Sequence, residues 1–422
     1  MKTIFYIIVS VLLMAASCKD TYQKDHFTTK KEETRGVDPV KAEYLPYHVD
    51  DNLTKLFFRF SSKDLIYSKT GSDNFTCDVK ISWRVFSWEN DKVMLDSGTV
   101  KITDINNENE TKEIKGEIDL KLNHGGKYRL KMRLTDTKKD ITTEDELIVD
   151  KLLPRSRQNY KVYDAEQGNM FYHYFPSVEL LRIESKRNSV KLMTVRYYNK
   201  EFIIAPPPYS DFKFQQFSWK ADSVFTVRID DSGFVELKTK KKGFYHCQTD
   251  TVTKEGLTLF RFEKNYPRIT TADALVEPLR YLTTGEEYKT LNTAKDKKVA
   301  VDDFWLDRCG SRERAKEIIR LYYGRVEDAN RKYASYIEGW KTDRGMIYII
   351  FGTPKYVDKT NDSETWFYGD RYSSQSVRFD FLKVNNPFSD NDYYLQRLGS
   401  YKPKWHLAVD AWRSGRAYVH ER

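Results

Sequence analysis

Three side chains in the last third of the chain, Asp343, Glu364 and His406, are of the types that carry acid–base chemistry. A carboxylate and an imidazole held within hydrogen-bond reach can pass a proton to and from a substrate. Their spacing fits no recognised catalytic pattern. The chain has no H-E-x-x-H, G-x-S-x-G or G-x-G-x-x-G run, and Gly125-Gly126-Lys127 lacks the earlier glycine of a phosphate cradle. The carboxylates Asp343, Glu364 and Asp380 are too dispersed for calcium, with no D-x-D-x-D-G loop among them. Beyond Cys18, only Cys77, Cys247 and Cys309 remain, which is no disulfide framework; isolated thiols behave as small hydrophobes. His246 and Cys247 are adjacent, and neighbours on a strand point to opposite faces, so they form no metal pair. No cofactor and no metal is expected, and the residues favour a protein that is not an enzyme.

The covalent chemistry the sequence does signal sits at Cys18. Lys2 precedes an apolar run from Ile4 to Ala16, and Ser17-Cys18 follows. That run is short of the roughly 20 residues needed to span a bilayer and has the form of a secretory signal. The small residues before Cys18 resemble the lipobox of bacterial lipoproteins, with Ala15 where Leu is usual. The resemblance implies a signal peptide over 1–17, a fatty acyl (palmitate-type) modification at Cys18, and anchorage to the outer membrane. Residues 18–40 are polar, charged and aperiodic, as a tether between lipid and folded body would be. Lys19-Asp20-Thr21 carries one acid only, a partial match to acidic surface-export signals, which favours the periplasmic side. The net charge of +9 comes from 71 basic and 62 acidic residues interleaved along the chain. Nucleic-acid binding needs a concentrated basic face, so no nucleic-acid partner is expected. Asp222-Ser223-Val224 and Asp250-Thr251-Val252 resemble the Bacteroidetes O-glycosylation sequon, making Ser223 and Thr251 candidate acceptors.

The elements that would position these groups are mainly strands. From 41 to 153, short alternating runs are separated by polar turns: Leu56, Phe58 and Phe60; Val79, Ile81 and Trp83; Val100 and Ile102. Tyr128, Leu130 and Met132 share a face, in a segment that resembles the tyrosine-corner strand of immunoglobulin-like sandwiches. Residues 154–267 predict a second antiparallel β-sandwich, from the alternation at Phe225, Val227 and Ile229 and the pair Phe260 and Phe262. Inside it, Ala205-Pro206-Pro207-Pro208-Tyr209 is stiff and extended, and Phe212, Phe214, Phe217 and Trp219 follow. These rings are expected to pack on the sandwich; the competing reading makes Phe212 and Trp219 a binding platform.

After Thr270 the period changes. Thr271 caps a helix bearing Leu275, Leu279 and Tyr281, kinked at Pro278 and ended at Gly285, with Lys295 to Lys298 as a loop. A stronger helix starts at Ser311, with Ala315, Ile318, Tyr322, Val326, Ala329 and Tyr333 on one stripe. Gly339-Trp340-Lys341-Thr342-Asp343-Arg344-Gly345 then leads into Met346–Phe351, which reads as a strand covered on both faces. Asp343 would accept the Gly345 N–H in an Asx-turn with Gly345 at positive φ, Thr342 would cap, and Trp340 would pin the turn to the helix. Trp405, Val409 and Trp412 fall at helical spacing before Gly415, a C-cap.

This region resembles the GWxTD domain of bacterial envelope proteins, often of the Bacteroidetes. Gly339, Trp340, Thr342, Asp343, Arg344 and Gly345 carry the motif. Tyr323, Arg325, Ala329, Asn330, Glu364–Tyr368, Phe379–Phe381 and Trp412–Gly415 extend it. The resemblance implies an α+β domain over 268–422 and no particular catalytic chemistry. The fold class is therefore mixed and mainly β: two antiparallel immunoglobulin-like sandwiches, then the α+β domain. The expected function is a non-enzymatic lipoprotein, structural or interaction-making, in an outer-membrane assembly or secretion complex. Tyr368, Arg371 and Arg416 are the first candidates for contact with a protein partner. The alternatives are a glycan- or peptide-binding lipoprotein of a nutrient-uptake system, and a hydrolase.

Overall fold

The alternation read at Leu56, Phe58 and Phe60 builds the inner face of a strand, Leu53–Ser61; on the opposite face Phe57 is buried too, in a small cluster with Leu45 and Tyr47. The structure, a computed structural model, describes residues 40–71, 74–107, 110–153, 156–164, 168–175, 180–185 and 190–419. The signal peptide, Cys18 and the tether up to residue 39 lie outside the described residues. Strand Leu53–Ser61 sits between Glu43–His48 and Glu113–Lys121, antiparallel to both. The facing sheet centres on Asn74–Ser87, flanked by Met94–Ile105 and by Lys127–Asp136, which pairs onward with Ile141–Asp150. Leu56, Phe58, Ile118, Ile81, Val85, Leu130 and Met132 fill the space between the sheets. The Tyr128 hydroxyl donates to Asn123 O at 2.9 Å, which is the tyrosine-corner tie.

The second unit also stacks two sheets, around Val162, Leu181, Ile183, Val195, Val235, Tyr245 and Leu259. One sheet orders Gly168–Asn169, Lys161–Asp164, Leu180–Glu184 and Phe234–Lys238. The other orders Tyr174–Phe175, Leu257–Arg261, Gly243–Gln248, Leu192–Tyr198 and Ser223–Arg228, and its first pair is parallel. Strands Gly243–Gln248 and Leu257–Arg261 are buried on both faces. Tyr245 and Leu259 face the sandwich interior, while Phe244 and Phe260 join an aromatic cluster with Tyr198, Tyr266, Tyr336 and Phe388. Tyr336 and Phe388 belong to the C-terminal domain, so the two units share this core.

The C-terminal domain is helical first and sheet-bearing second. Helix α1 (Ala272–Val276) is capped by Thr271 as expected, and continues past Pro278 as a tighter turn, Glu277–Tyr281. Gly285 does not end it. Thr284 opens α2 (Gly285–Thr293) through a capping box with Glu287, so Gly285 is a first-turn residue. Nor is Lys295–Lys298 all loop: Asp296 caps α3 (Lys297–Cys309) and accepts the Val299 N–H. Helix α4 (Arg312–Tyr333), capped by Ser311, buries the stripe read from its spacing from Ala315 to Ala329; Tyr333 is half-buried. Helix α6 (Lys402–Arg413) buries Trp405, Val409 and Trp412, and Gly415 takes φ +64° just beyond it. Between them a four-stranded antiparallel sheet runs Tyr356–Lys359, Ser363–Tyr368, Val377–Lys383 and Tyr393–Leu395.

The largest departure from the sequence reading is at the motif itself. Asp343–Phe351 is a helix, α5, and not a strand. All nine of its residues are buried, because α4, α6 and the sheet surround it. An apolar run of this length reads the same as a buried strand or a buried helix, since neither has a polar face.

Candidate functional site

The signature residues form the start of α5 and the turn before it. Thr342 is the N-cap: its Oγ1 accepts the Gly345 N–H at 3.0 Å and donates to Gly339 O at 2.8 Å. Thr342 thus holds the N–H that the sequence assigned to Asp343. Gly345 is helical and takes no positive φ; it is glycine because a Cβ there would lie 1.9 Å from Gly339 O. Gly339 is just as confined, with a Cβ position 2.0 Å from Ala329 O in α4. Trp340 is buried as expected; its N–H donates to Asn330 Oδ1 at 3.0 Å and its carbonyl accepts the Tyr281 hydroxyl at 2.9 Å. The Asn330 carbonyl in turn accepts the Tyr266 hydroxyl, and Asn330 Nδ2 donates to Pro267 O.

Asp343, freed from the cap, reaches across to the last strand. It accepts the Leu395 N–H at 2.7 Å and forms a buried two-oxygen pair with Arg397. Burial raises its pKa, and the Arg397 charge and hydrogen bonds counter that rise. Arg344 turns the other way. Its guanidinium donates to Glu364 at 3.2 Å and to Asn391 O at 2.9 Å, and lies 4.0 Å from the Tyr393 ring centre. Burial pushes Glu364 upward, but Arg344 and then Lys359 outweigh it and hold the carboxyl at about 2. Trp366 Nε1 adds a hydrogen bond at 3.1 Å. Asp380 accepts from Thr365 and pairs with Arg378, and His406 packs against Tyr209 with ring centres 5.4 Å apart. The three candidate acid–base groups, and Asp380 with them, are thus placed in separate contacts rather than gathered around one atom. Among the described residues no group of three or more His, Cys, Asp or Glu is placed to hold a metal ion.

The proline segment is where the second unit meets the motif. Residues 203–219 leave the hairpin between Leu192–Tyr198 and Ser223–Arg228 and cross the C-terminal domain as a strap. The Ala205 N–H donates to Lys341 O at 2.9 Å, and Arg397 Nη2 donates to Pro206 O at 3.1 Å. The Leu398 N–H donates to Pro208 O at 3.2 Å. Phe214 stacks on Tyr394 at 5.0 Å, and Phe217 packs 4.9 Å from Tyr336. The rings expected on the sandwich are therefore spent largely against the neighbouring domain. Trp219 is half-buried, edge-on to Phe388 and under Lys254. Phe212 is 36% exposed over Arg397.

The expected contact residues divide. Tyr368 is a correction: it is 2% exposed, with its hydroxyl donating to Gly352 O at 2.8 Å. Its place on the inward face of strand Ser363–Tyr368 puts it in the core, out of a partner's reach. Arg371 is half-buried, paired with Asp358 at 2.6 Å and lying over Tyr356. Arg416 is exposed, as are Ser223 and Thr251. Tyr372 is 95% exposed in the turn beside Arg371 and drew no notice in the sequence, where nothing distinguishes it from the many buried tyrosines. Arg397 was missed for another reason. It lies 54 residues from Asp343, and no local pattern joins them.

Comparisons with known proteins place this geometry. Residues 243–414 match the GWxTD domain. No curated protein matches the chain. Among solved structures it is similar to a β-glucuronidase of Bacteroides uniformis at 12% identity, over 27% of this chain and 13% of that one, with a TM-score of 0.17. It is similar also to a glycosyl hydrolase family 2 member of Bacteroides cellulosilyticus at 11% identity, over 32% and 17% of the chains, with a TM-score of 0.20. A third is the BSP domain of a biofilm-associated protein, at 12% identity over 51% and 50%, with a TM-score of 0.17. The chain thus spans only 13% and 17% of the two glycosidases. With its turn, its α5 cap and its flanking helices all inside the matched span, the chain is a GWxTD domain-containing protein.

Proposed function

We propose that this protein is a lipid-anchored outer-membrane component, most of it on the periplasmic side, that works without catalysis as an interaction or structural subunit of an envelope assembly or secretion complex. One observation carries the reading. The polar groups of the GWxTD motif are spent inside the protein: Thr342 on the Gly339 carbonyl, Asp343 on Leu395 and Arg397, Arg344 on Glu364 and Asn391, while the Lys341 carbonyl and Arg397 hold the strap, so that α5, the last strand and the second β unit are joined. A site built for turnover presents titratable groups to a substrate; this one turns them inward. What the domain presents outward is Tyr372, in the turn after the half-buried Arg371, and Arg416 beyond α6. Arg and Tyr are the residue types that anchor protein interfaces.

The anchor and the contact are tested separately. Cys18→Ser is expected to release the protein from the membrane fraction or to accumulate precursor; full retention without detergent would mean another anchor. For the contact, the intact protein is crosslinked in outer membranes and its partners are recovered by affinity capture. Tyr372→Ala and Arg416→Ala are expected to lower recovery of a defined membrane-protein partner while leaving thermal melting unchanged. Equal recovery from both variants, or turnover of a glycan or peptide by the purified protein, would overturn the proposal.

A further inference from the structure

Beside the motif, the strap and the segment Tyr394–Gly399 enclose a cleft of about 670 Å³. Two residues that line it carry buried polar atoms with no partner among the described residues: Arg397, through Nε, and Ser210, through Oγ. The Arg397 side chain is only 5% exposed. Its Nη atoms are engaged by Asp343 and Pro206 O, which leaves Nε as its buried nitrogen without a partner among the described residues. A buried donor left unpaired gives up its bonds to water and gains none in return, so a site that keeps one invites an oxygen from outside the chain. The Phe212 ring lies 5.0 Å from the guanidinium and is partly exposed, so it is a cover that can move without opening the core.

The chemistry of the occupant follows from charge and shape. Arg397 is already neutralised by Asp343, and on the rim Asp211 balances Lys213, so the cleft has no excess charge for an ion. Tyr209 and the Phe214–Tyr394 stack supply flat apolar rings. Exposed Asp211, Lys213 and Gln396 supply an acceptor, a donor and a group that does both. A sugar ring has the complementary make-up: an apolar C–H face for the rings, and neighbouring hydroxyls that donate and accept at once. We propose that this cleft binds a neutral oligosaccharide. Phe212 swings outward, and sugar oxygens bond to Arg397 Nε and Ser210 Oγ. Lys213 and Gln396 hold hydroxyls at the rim. This site is separate from the Tyr372 and Arg416 contacts, and either can fail without the other.

The test is calorimetric titration of the full chain in detergent with maltohexaose, cellohexaose, mannohexaose and xylohexaose. At least one is expected to bind with a Kd between about 10 μM and 1 mM, the range of a small, largely open site. Ser210→Ala should weaken that binding by about five-fold, and Lys213→Ala with Gln396→Ala by about ten-fold, the loss of one or two hydrogen bonds. Phe212→Ala, which removes the cover, should bind at least as tightly as the wild type. The exposed positions leave melting unchanged, so a lost fold cannot imitate lost binding. Failure of all four sugars to bind at about 10 mM, a limit near the weakest specific affinities, overturns the proposal. So does binding that survives the Ser210 and rim substitutions undiminished.

Discussion

Asp343 is held by a backbone N–H and a guanidinium that are both inside the protein, and that sets what its loss would do. Breaking a buried pair from one side strands the other charge, at a cost of about 3–5 kcal/mol. Asp343→Ala is therefore expected to lower the unfolding free energy by that amount in a denaturant titration of the whole chain. An Asx-turn alone would have cost less, so a change near 1 kcal/mol, the worth of one ordinary hydrogen bond, would mean the Arg397 pair contributes little. The carboxylates also fix the pH response. Glu287 is held at about 2, first by its hydrogen bonds from Arg413, and Glu364 at about 2 by Arg344 against its own burial. A carboxyl lowered on folding stabilises the native state above its unfolded value and loses that stabilisation as pH falls towards the folded one. Asp392 has the opposite sign: burial raises it to about 6, so its penalty is present above that pH and is relieved on acidification. Burial also holds the His246 and His173 imidazoles down, to about 4 and about 3, so the stability that goes with their neutral forms is lost as pH falls below the ordinary histidine value of about 6.5. Melting temperature should therefore fall from about pH 6.5 downward, with the Asp392 gain offsetting part of the loss between about 6 and 4, and fall more steeply from about 4.5 to 2. Asp392→Asn is expected to steepen the fall between about pH 6 and 4, and Glu287→Gln to make the acid limb shallower. Melting curves across that range check both.

At the scale of elements, α5 depends on one cap. Thr342→Ala removes the acceptor for the Gly345 N–H and is expected to cost about 0.5–2 kcal/mol, while Thr342→Ser keeps the oxygen and most of the stability. Urea unfolding of the two variants separates the cap from mere side-chain size. Gly345→Ala should cost more than the cap, because its methyl would have to displace Gly339 O of the neighbouring turn, a backbone atom. Helix α4 was legible because one face is charged and the other apolar, so its period is written in the chain. The strands of the first sandwich were legible for the same reason at period two. Helix α5 was not, since Met346–Phe351 is apolar on every side and a helix so enclosed keeps no record of its period. The Thr342 cap was readable as a residue type, but not what it capped. The ion pairs Asp343–Arg397 and Arg344–Glu364 were illegible for a simpler reason: they join positions 54 and 20 residues apart, and only the fold brings them together.

At the scale of the molecule, the sequence boundary at 267/268 cuts through shared core. The family match begins at residue 243, at the start of a strand whose Phe244 packs with Tyr336 and Phe388 across that boundary. A fragment of residues 268–422 would expose Tyr336 and Phe388 at the face where Tyr266, Phe244 and Phe217 now lie. Such a fragment is expected to bind a hydrophobic dye and to lose its near-ultraviolet circular dichroism, while one of residues 156–422 should melt cooperatively. A sharp, dye-free melt of the shorter fragment would show that the aromatic seam is dispensable.

The strap has a consequence for how such a domain travels between proteins. Residues 203–219 lie upstream of the matched span 243–414, yet they meet Lys341, Arg397 and Tyr394 within it. A gene rearrangement that carried only the matched segment into a new protein would leave behind the chain that covers its motif. The new host would have to supply its own backbone carbonyl for Arg397 and its own ring for Tyr394. The portable unit is therefore larger than the recognisable one, and the stretch to look for in any other protein bearing this motif is whatever lies across the turn.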